Sequence, residues 1–162
     1  MRHLLALILV SLTLSACGLK PLYSGGSTGA VASTLGTVMV EPIAGKNGWL
    51  MRNALNDWLG SAQSTSAKFR LVVALDDQIE GFGVRADDTV TRERRTLRAR
   101  YQLISLTTGE TVLDATAGAD AGIDVVSSEY ATIASENTAL ENLTQRVADQ
   151  IVTRLSLYAG GE

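Results

Sequence analysis

Residues Thr89 to Ser105 alternate between two kinds of side chain. One set is Thr91, Glu93, Arg95, Leu97, Ala99, Tyr101 and Leu103, apolar from Leu97 onward. The other is Val90, Arg92, Arg94, Thr96, Arg98, Arg100, Gln102 and Ile104, mostly polar or charged. A period of two is the pattern of a β-strand with one face in a core and one face in water. So long a strand needs partners, because an isolated ribbon is at best marginally stable. Thr107-Thr108-Gly109-Glu110 reads as a hairpin turn, with Gly109 free to take positive φ. Thr111 to Ala119, reaching about Ile123, then returns as the partner strand. Upstream, Phe69, Leu71, Val73 and Leu75 alternate with Lys68, Arg70, Val72 and Ala74, a further one-sided strand. Asp76-Asp77 marks its end or a bulge, and Gly81-Phe82-Gly83 a turn or kink.

Helical periodicity flanks these strands. Thr37 to Ile43 is a short strand ended by Pro42, and Ala44 to Gly48 a turn. Leu50, Met51, Ala54, Leu55, Trp58 and Leu59 then fall on one helical stripe over Trp49–Ser61, with Asn47 as the expected cap and Gly60 as the stop. A second helix is expected from Ser128 to about Tyr158, with a stripe of Tyr130, Ile133, Ala134, Leu140, Val147, Ala148, Ile151 and Leu155 that Asn137 and Thr144 interrupt. Ser128 and Glu129 suit its start through capping and the helix dipole. The expected order is strand-helix-strand-strand-strand-helix. This is an α+β fold, a mostly antiparallel four-stranded sheet with two helices on one face.

The amino terminus has another purpose. Arg2 and His3 precede an almost wholly apolar run, Leu4 to Leu14. As a helix it is about 16 Å long, too short to span a bilayer but right for the core of a signal peptide. Leu14-Ser15-Ala16-Cys17 looks like a lipobox, in which small residues admit a peptidase and the thiol of Cys17 takes up diacylglycerol. Cys17 is the only cysteine, so an exported chain cannot use it for an internal disulfide; lipidation accounts for it. Several acyl chains give stable anchoring. Gly18, where aspartate would favour inner-membrane retention, points to the outer membrane. The expected division is a signal peptide over 1–16, a lipidated Gly/Ser-rich tether over 17–36 and a folded domain over 37–162.

Cleavage before Cys17 leaves thirteen of the fourteen Lys+Arg and all seventeen Asp+Glu, a formal charge of −4. That argues against nucleic acid as a partner. The only histidine, His3, leaves with the signal peptide. Without histidine or free thiol, the usual zinc sites, histidine-dependent triads and thiol catalysis are excluded. The expectation is a binding or structural protein, with no cofactor and no metal.

The densest chemistry is basic. Arg85, Arg92, Arg94, Arg95, Arg98 and Arg100 put six basic residues within sixteen positions. By alternation Arg92, Arg94, Arg98 and Arg100 share the face not covered by helices, with same-face neighbours about 6.6–6.8 Å apart. Such a stripe suits phosphate groups, which guanidinium binds bidentately. The competing expectation is a solvated face neutralised by Asp76, Asp77, Glu80, Asp87 and Asp88. Asp76-Asp77 and Asp87-Asp88 lack a calcium-loop pattern and read as polar turns. Gly81-Phe82-Gly83 lacks the remainder of a phosphate loop. Trp49 and Trp58 are expected in the core or at its rim, with Trp49 at the helix start also suited to surface contact.

Cys17-Gly18-Leu19-Lys20-Pro21-Leu22-Tyr23 resembles the C-G-F-x-P-L-Y start of the lipopolysaccharide-assembly lipoproteins of the LptE family, especially their alphaproteobacterial branch, with Leu19 in place of Phe. Arg52-Asn53-Ala54-Leu55, Leu97 to Leu103 and Ser128-Glu129-Tyr130-Ala131 are similar to later blocks of that family, in the same order. The resemblance implies a small α/β sandwich anchored in the inner leaflet of the outer membrane. It further implies a plug inside the LptD β-barrel that assists barrel assembly and binds lipopolysaccharide, without catalysis. Basic residues at the lipopolysaccharide contact would correspond most nearly to Arg94, Arg98 and Arg100. The alternatives are an auxiliary lipoprotein of another envelope lipid-transport system and a lipid-anchored enzyme working with carboxylate, hydroxyl or lysine chemistry.

Overall fold

The computed structural model describes residues 29–60, 66–84 and 90–161. Cys17, the signal segment, most of the expected tether, and Arg85, Asp87 and Asp88 lie outside the described residues. The elements are α1 (Ala30–Leu35), β1 (Val38–Val40), α2 (Gly45–Leu59), β2 (Phe69–Val84), β3 (Val90–Ser105), β4 (Thr111–Asp124) and α3 (Glu129–Gly160). The strands form one sheet in the order β1-β2-β3-β4. β1 runs parallel to β2, and the other pairings are antiparallel. The expected mostly antiparallel α+β sheet is what the chain forms, with one helix more than the periodicity indicated.

That extra helix is α1, six residues inside the stretch expected to be tether. Its Leu35 is buried in the core, and Val31 packs against it. Two apolar side chains four apart among Ala, Ser and Thr make too weak a stripe to see against a Gly/Ser background.

β2 continues through the positions expected to end it. Asp76, Asp77 and Gly81 all hold register with β3, which extends to Val84 opposite Val90. The kink is confined to Gly83, at φ +76°, where the Thr91 hydroxyl donates to the Gly83 carbonyl at 2.7 Å. Asp77 stays in the strand because its side chain has a buried partner, Arg95.

α2 begins at Gly45, before the expected Trp49, and the residue ahead of it, Ala44, contributes no side-chain cap. Asn47 reaches instead to Asp77. Gly60 closes the helix at φ 74° as expected. Trp58, read as part of the apolar stripe, is 55% exposed, and Trp49 is 63% exposed. Gly48, Met51, Ala54, Leu55 and Leu59 form the buried stripe. Ser128 caps α3 by accepting from the Ala131 N–H. Thr144 does not interrupt that helix's stripe: its hydroxyl donates to the Leu140 carbonyl at 2.8 Å, so its methyl packs inward at no cost in unpaired polar atoms. Tyr130 and Ile133, assigned to the stripe, are exposed.

The core lies between the helices and one face of the sheet. Leu71, Val73, Leu97, Ala99, Tyr101 and Leu103 meet Met51, Leu55, Leu140, Leu143, Val147, Ile151 and Leu155. At about 25 cal/mol per Å² of apolar surface this interleaving is the main stabilising term. Burial raises the pKa of the Tyr101 phenol, opposed by the charge of Arg154. Among the described residues the opposite face of β2–β4 carries no helix.

Candidate functional site

The uncovered face presents the arginines where strand alternation put them. Arg92, Arg94, Arg98 and Arg100 are all exposed, whereas Arg95, on the helix side, is buried. The four do not have equal freedom. Arg92 pairs with Asp124 at 3.0 Å. Arg100 binds Asp114 through two nitrogens, at 3.2 and 2.9 Å, and Gln102 donates to the same carboxylate at 2.8 Å. The hydrogen bond from Arg100, then that from Gln102, holds the Asp114 carboxyl below its usual range, and Arg100 is raised in return. The neutralising acids therefore come from β4. Asp77 points to the helices, and Asp76 and Glu80 sit in register with Arg98 and Arg94 without forming an ion pair.

Arg94 and Arg98 are different. On β4 they lie opposite Gly122 and Gly118, which offer no side chain. Arg94 rests over the Phe82 ring at 5.5 Å, a cation–π contact that leaves the guanidinium edge open. Among the described residues Arg98 has no ion pair. It lines a depression of about 460 Å³ with Ala74, Asp76, Arg100, Thr116 and Gly118. A Cβ at Gly118 would stand 3.4 Å from the Arg98 Cγ, so the glycine keeps this floor open. Along β2–β4 the face carries Arg70, Arg92, Arg94, Arg98 and Arg100 against Asp76, Glu80, Asp114, Asp120 and Asp124, and Arg70 is further paired with Glu41 at 3.2 Å. Anion binding here would rest on local guanidinium geometry rather than on a broad positive field.

The inner face holds a feature that sequence reasoning passed over. Arg95 donates from Nε to Asp77 Oδ1 at 2.8 Å, from Nη2 to Asp77 Oδ2, and from Nη1 to the Glu136 carbonyl at 2.8 Å. Asn47 donates to the same Asp77 Oδ2 at 2.6 Å. One buried ion pair thus ties β2 and β3 to the start of α2 and the body of α3. The Asp77 hydrogen bond raises the Arg95 pKa further, against the desolvation that lowers it. The signal was available: Asp77 and Arg95 both fall on the apolar period of their strands, where a lone charge demands a partner. Among the described residues no three metal-ligating side chains converge, and no helix is long and apolar enough to cross a membrane.

Comparison with known proteins places this arrangement in context. The family model described as LptE, lipopolysaccharide-assembly, matches residues 35–155. A lipoprotein of solved structure from Caulobacter crescentus superposes with a TM-score of 0.69 at 24% identity, covering 83% of this chain and 100% of that one. Lipoprotein B from Nitrosomonas europaea gives 0.60 at 9% identity, covering 76% and 83%. Rare lipoprotein B from Shewanella oneidensis gives 0.58 at 8% identity, covering 77% and 96%. At these identities the structures speak for the fold. No curated protein sequence matches the chain.

Proposed function

Because the chain belongs to the LptE family of lipopolysaccharide-assembly lipoproteins, we propose that it is anchored through acylated Cys17 at the periplasmic face of the outer membrane. There it seats in an LptD-type β-barrel, assists its assembly and binds lipopolysaccharide on its way to the surface. The reading involves no catalysis and no cofactor. A barrel lumen is polar; the uncovered face, balanced between arginines and carboxylates, suits such a surface better than it suits lipid tails.

The observation that carries the lipopolysaccharide contact is Arg98, without an ion pair among the described residues, in its Gly118-floored depression, with Arg94 four residues along the same strand. Their spacing is about 13 Å along the strand. Two anionic groups of one lipid head, or of neighbouring molecules, can each meet one guanidinium bidentately. Arg92 and Arg100 would have to give up Asp124 and Asp114 to do the same.

The test is lipopolysaccharide binding by the purified domain. An Arg94→Ala/Arg98→Ala variant should keep its circular dichroism and lose affinity about tenfold or more, as expected when two charge-assisted contacts go. An Arg92→Ala variant should lose much less. Wild-type affinity in the folded double variant would remove these two arginines from the contact.

A further inference from the structure

β4 is an edge strand, and its edge is only partly closed. At Gly118 the carboxamide of Gln150, from α3, accepts from the Gly118 N–H and donates to its carbonyl, both at 3.2 Å. Gln150 thus imitates one residue of a neighbouring strand. It also shows which peptide groups face outward: Gly118 and, by the alternation of an antiparallel ladder, Asp120, Gly122 and Asp124. Among the described residues no fifth strand covers those three. An unpaired row of this kind is a template for strand addition.

The space beside it has the shape a strand needs. Between the edge and α3 runs a groove of about 530 Å³, lined by Ala121, Gly122, Val126, Ala134, Thr138 and Arg146, among others. The helix side is small side chains, Val126 is 49% exposed, and Arg146 stands at one end. A strand edge flanked by a helix, with main-chain groups for affinity and a lined groove for alternate side chains, is the geometry of peptide recognition by β-augmentation.

Charge decides between occupants. A second copy pairing antiparallel about Gly122 would set Asp120, which has no ion pair among the described residues, beside the other copy's Asp124, twice over, with Arg92 offsetting only the Asp124 of each contact. Like charges in direct cross-strand contact are destabilising. A foreign strand of opposite pattern meets no such repulsion. A basic side chain on its outer face would lie beside Asp120, whereas Asp124 already has Arg92; small apolar side chains would enter the groove, and an acidic residue would reach Arg146.

We propose that residues 120–124 of β4 accept an extended segment of about five residues from the outer-membrane barrel partner, added as a fifth strand, with Gln150 as the stop that sets its end. The occupant rests on the barrel reading above. The sheet is thereby continued into the partner, which fixes the domain's orientation through main-chain hydrogen bonds as well as side-chain fit.

Hydrogen–deuterium exchange on the full-length lipidated chain, free and in its purified barrel complex, tests this. Complex formation should slow the Asp120, Gly122 and Asp124 amides by on the order of a hundredfold. Asp114 and Thr116, beyond the Gln150 stop, should change little, and Gly118 should be protected in both states. A Thr138→Trp variant, filling the groove from an exposed helix position, should abolish the protection and weaken the complex, whereas Glu141→Trp, outside the groove, should do neither. A stable complex in which the three amides exchange as in the free chain overturns the strand and leaves the barrel reading standing. Uniform protection from Asp114 to Asp124 also overturns it, since enclosure in a lumen would then account for the slowing. Failure to form any barrel complex overturns both.

Discussion

Replacing Asp77 by alanine strips Arg95 of its carboxylate and leaves a guanidinium, 9% exposed at its side chain, with only the Glu136 carbonyl for company. Removing one partner of a buried ion pair costs about 3–5 kcal/mol, because the surviving charge stays desolvated. Asn47 loses its acceptor at the same stroke. For the roughly 130 residues from α1 to α3, an unfolding entropy of about 2.1 cal/mol/K per residue makes about 0.27 kcal/mol/K in total, so the melting temperature should fall by about 11–18 °C. The assay is thermal unfolding by circular dichroism, with urea titration to check that the m-value is unchanged. The double replacement Asp77→Leu/Arg95→Met removes both charges while keeping bulk, and should recover most of the loss. A single variant melting within about 4 °C of wild type would refute the claim that the pair is desolvated. A double variant no better than the single would show that packing around the pair, rather than the stranded charge, sets the cost.

Other consequences follow from the same geometry. Asp114 has a depressed folded pKa, so its pairing with Arg100 stabilises the fold above the unfolded carboxyl value near pH 4 and is lost as pH falls through the lower folded value; an NMR titration should show the Asp114 midpoint rising in Arg100→Ala and on adding salt. Gln150→Ala should leave the fold intact but speed exchange of the Gly118 amide, whose partner it removes; an unchanged rate would mean the carboxamide does not hold the edge. Leu143→Ala, at a fully buried core position, should cost about 2–5 kcal/mol by urea titration. Gly48→Ala should destabilise by about 1–3 kcal/mol despite the gain in helix propensity, because a Cβ there would meet the Ile43 carbonyl oxygen at 2.5 Å; Gly160→Ala, where a Cβ meets nothing within 4 Å, should be neutral or stabilising in the same assay.

The strands were legible because their alternation is one-sided. Leu97, Ala99, Tyr101 and Leu103 against Arg98, Arg100 and Gln102 determine register and face together, since a slip of one residue would bury the arginines. The same alternation put the four candidate arginines on the open face correctly. Pairing partners were less visible. Asp114 and Asp124 lie up to thirty-two residues from the arginines they bind and are brought there only by the β3–β4 hairpin, whereas sequence nearness favoured Asp76 and Asp77. Asp77 looked like a strand end because a lone carboxylate is a turn former, and only the buried Arg95, diagonally across on β3 where Leu97 stands opposite Asp77, makes it a strand residue. Trp58 looked like core because helical periodicity cannot say how wide a stripe the neighbouring helix covers. The Gln150 contact with Gly118 joins an exposed side chain to a half-buried backbone thirty-two residues away and has no local pattern at all.

What surrounds this domain in the cell envelope can be read by native mass spectrometry of the lipidated chain, purified by its own affinity tag from detergent-extracted membranes. The expected species is one copy of this chain bound to one large β-barrel, with a diacylglyceryl modification on Cys17. An unmodified Cys17, or a complex with transporter subunits and no barrel, would contradict that expectation.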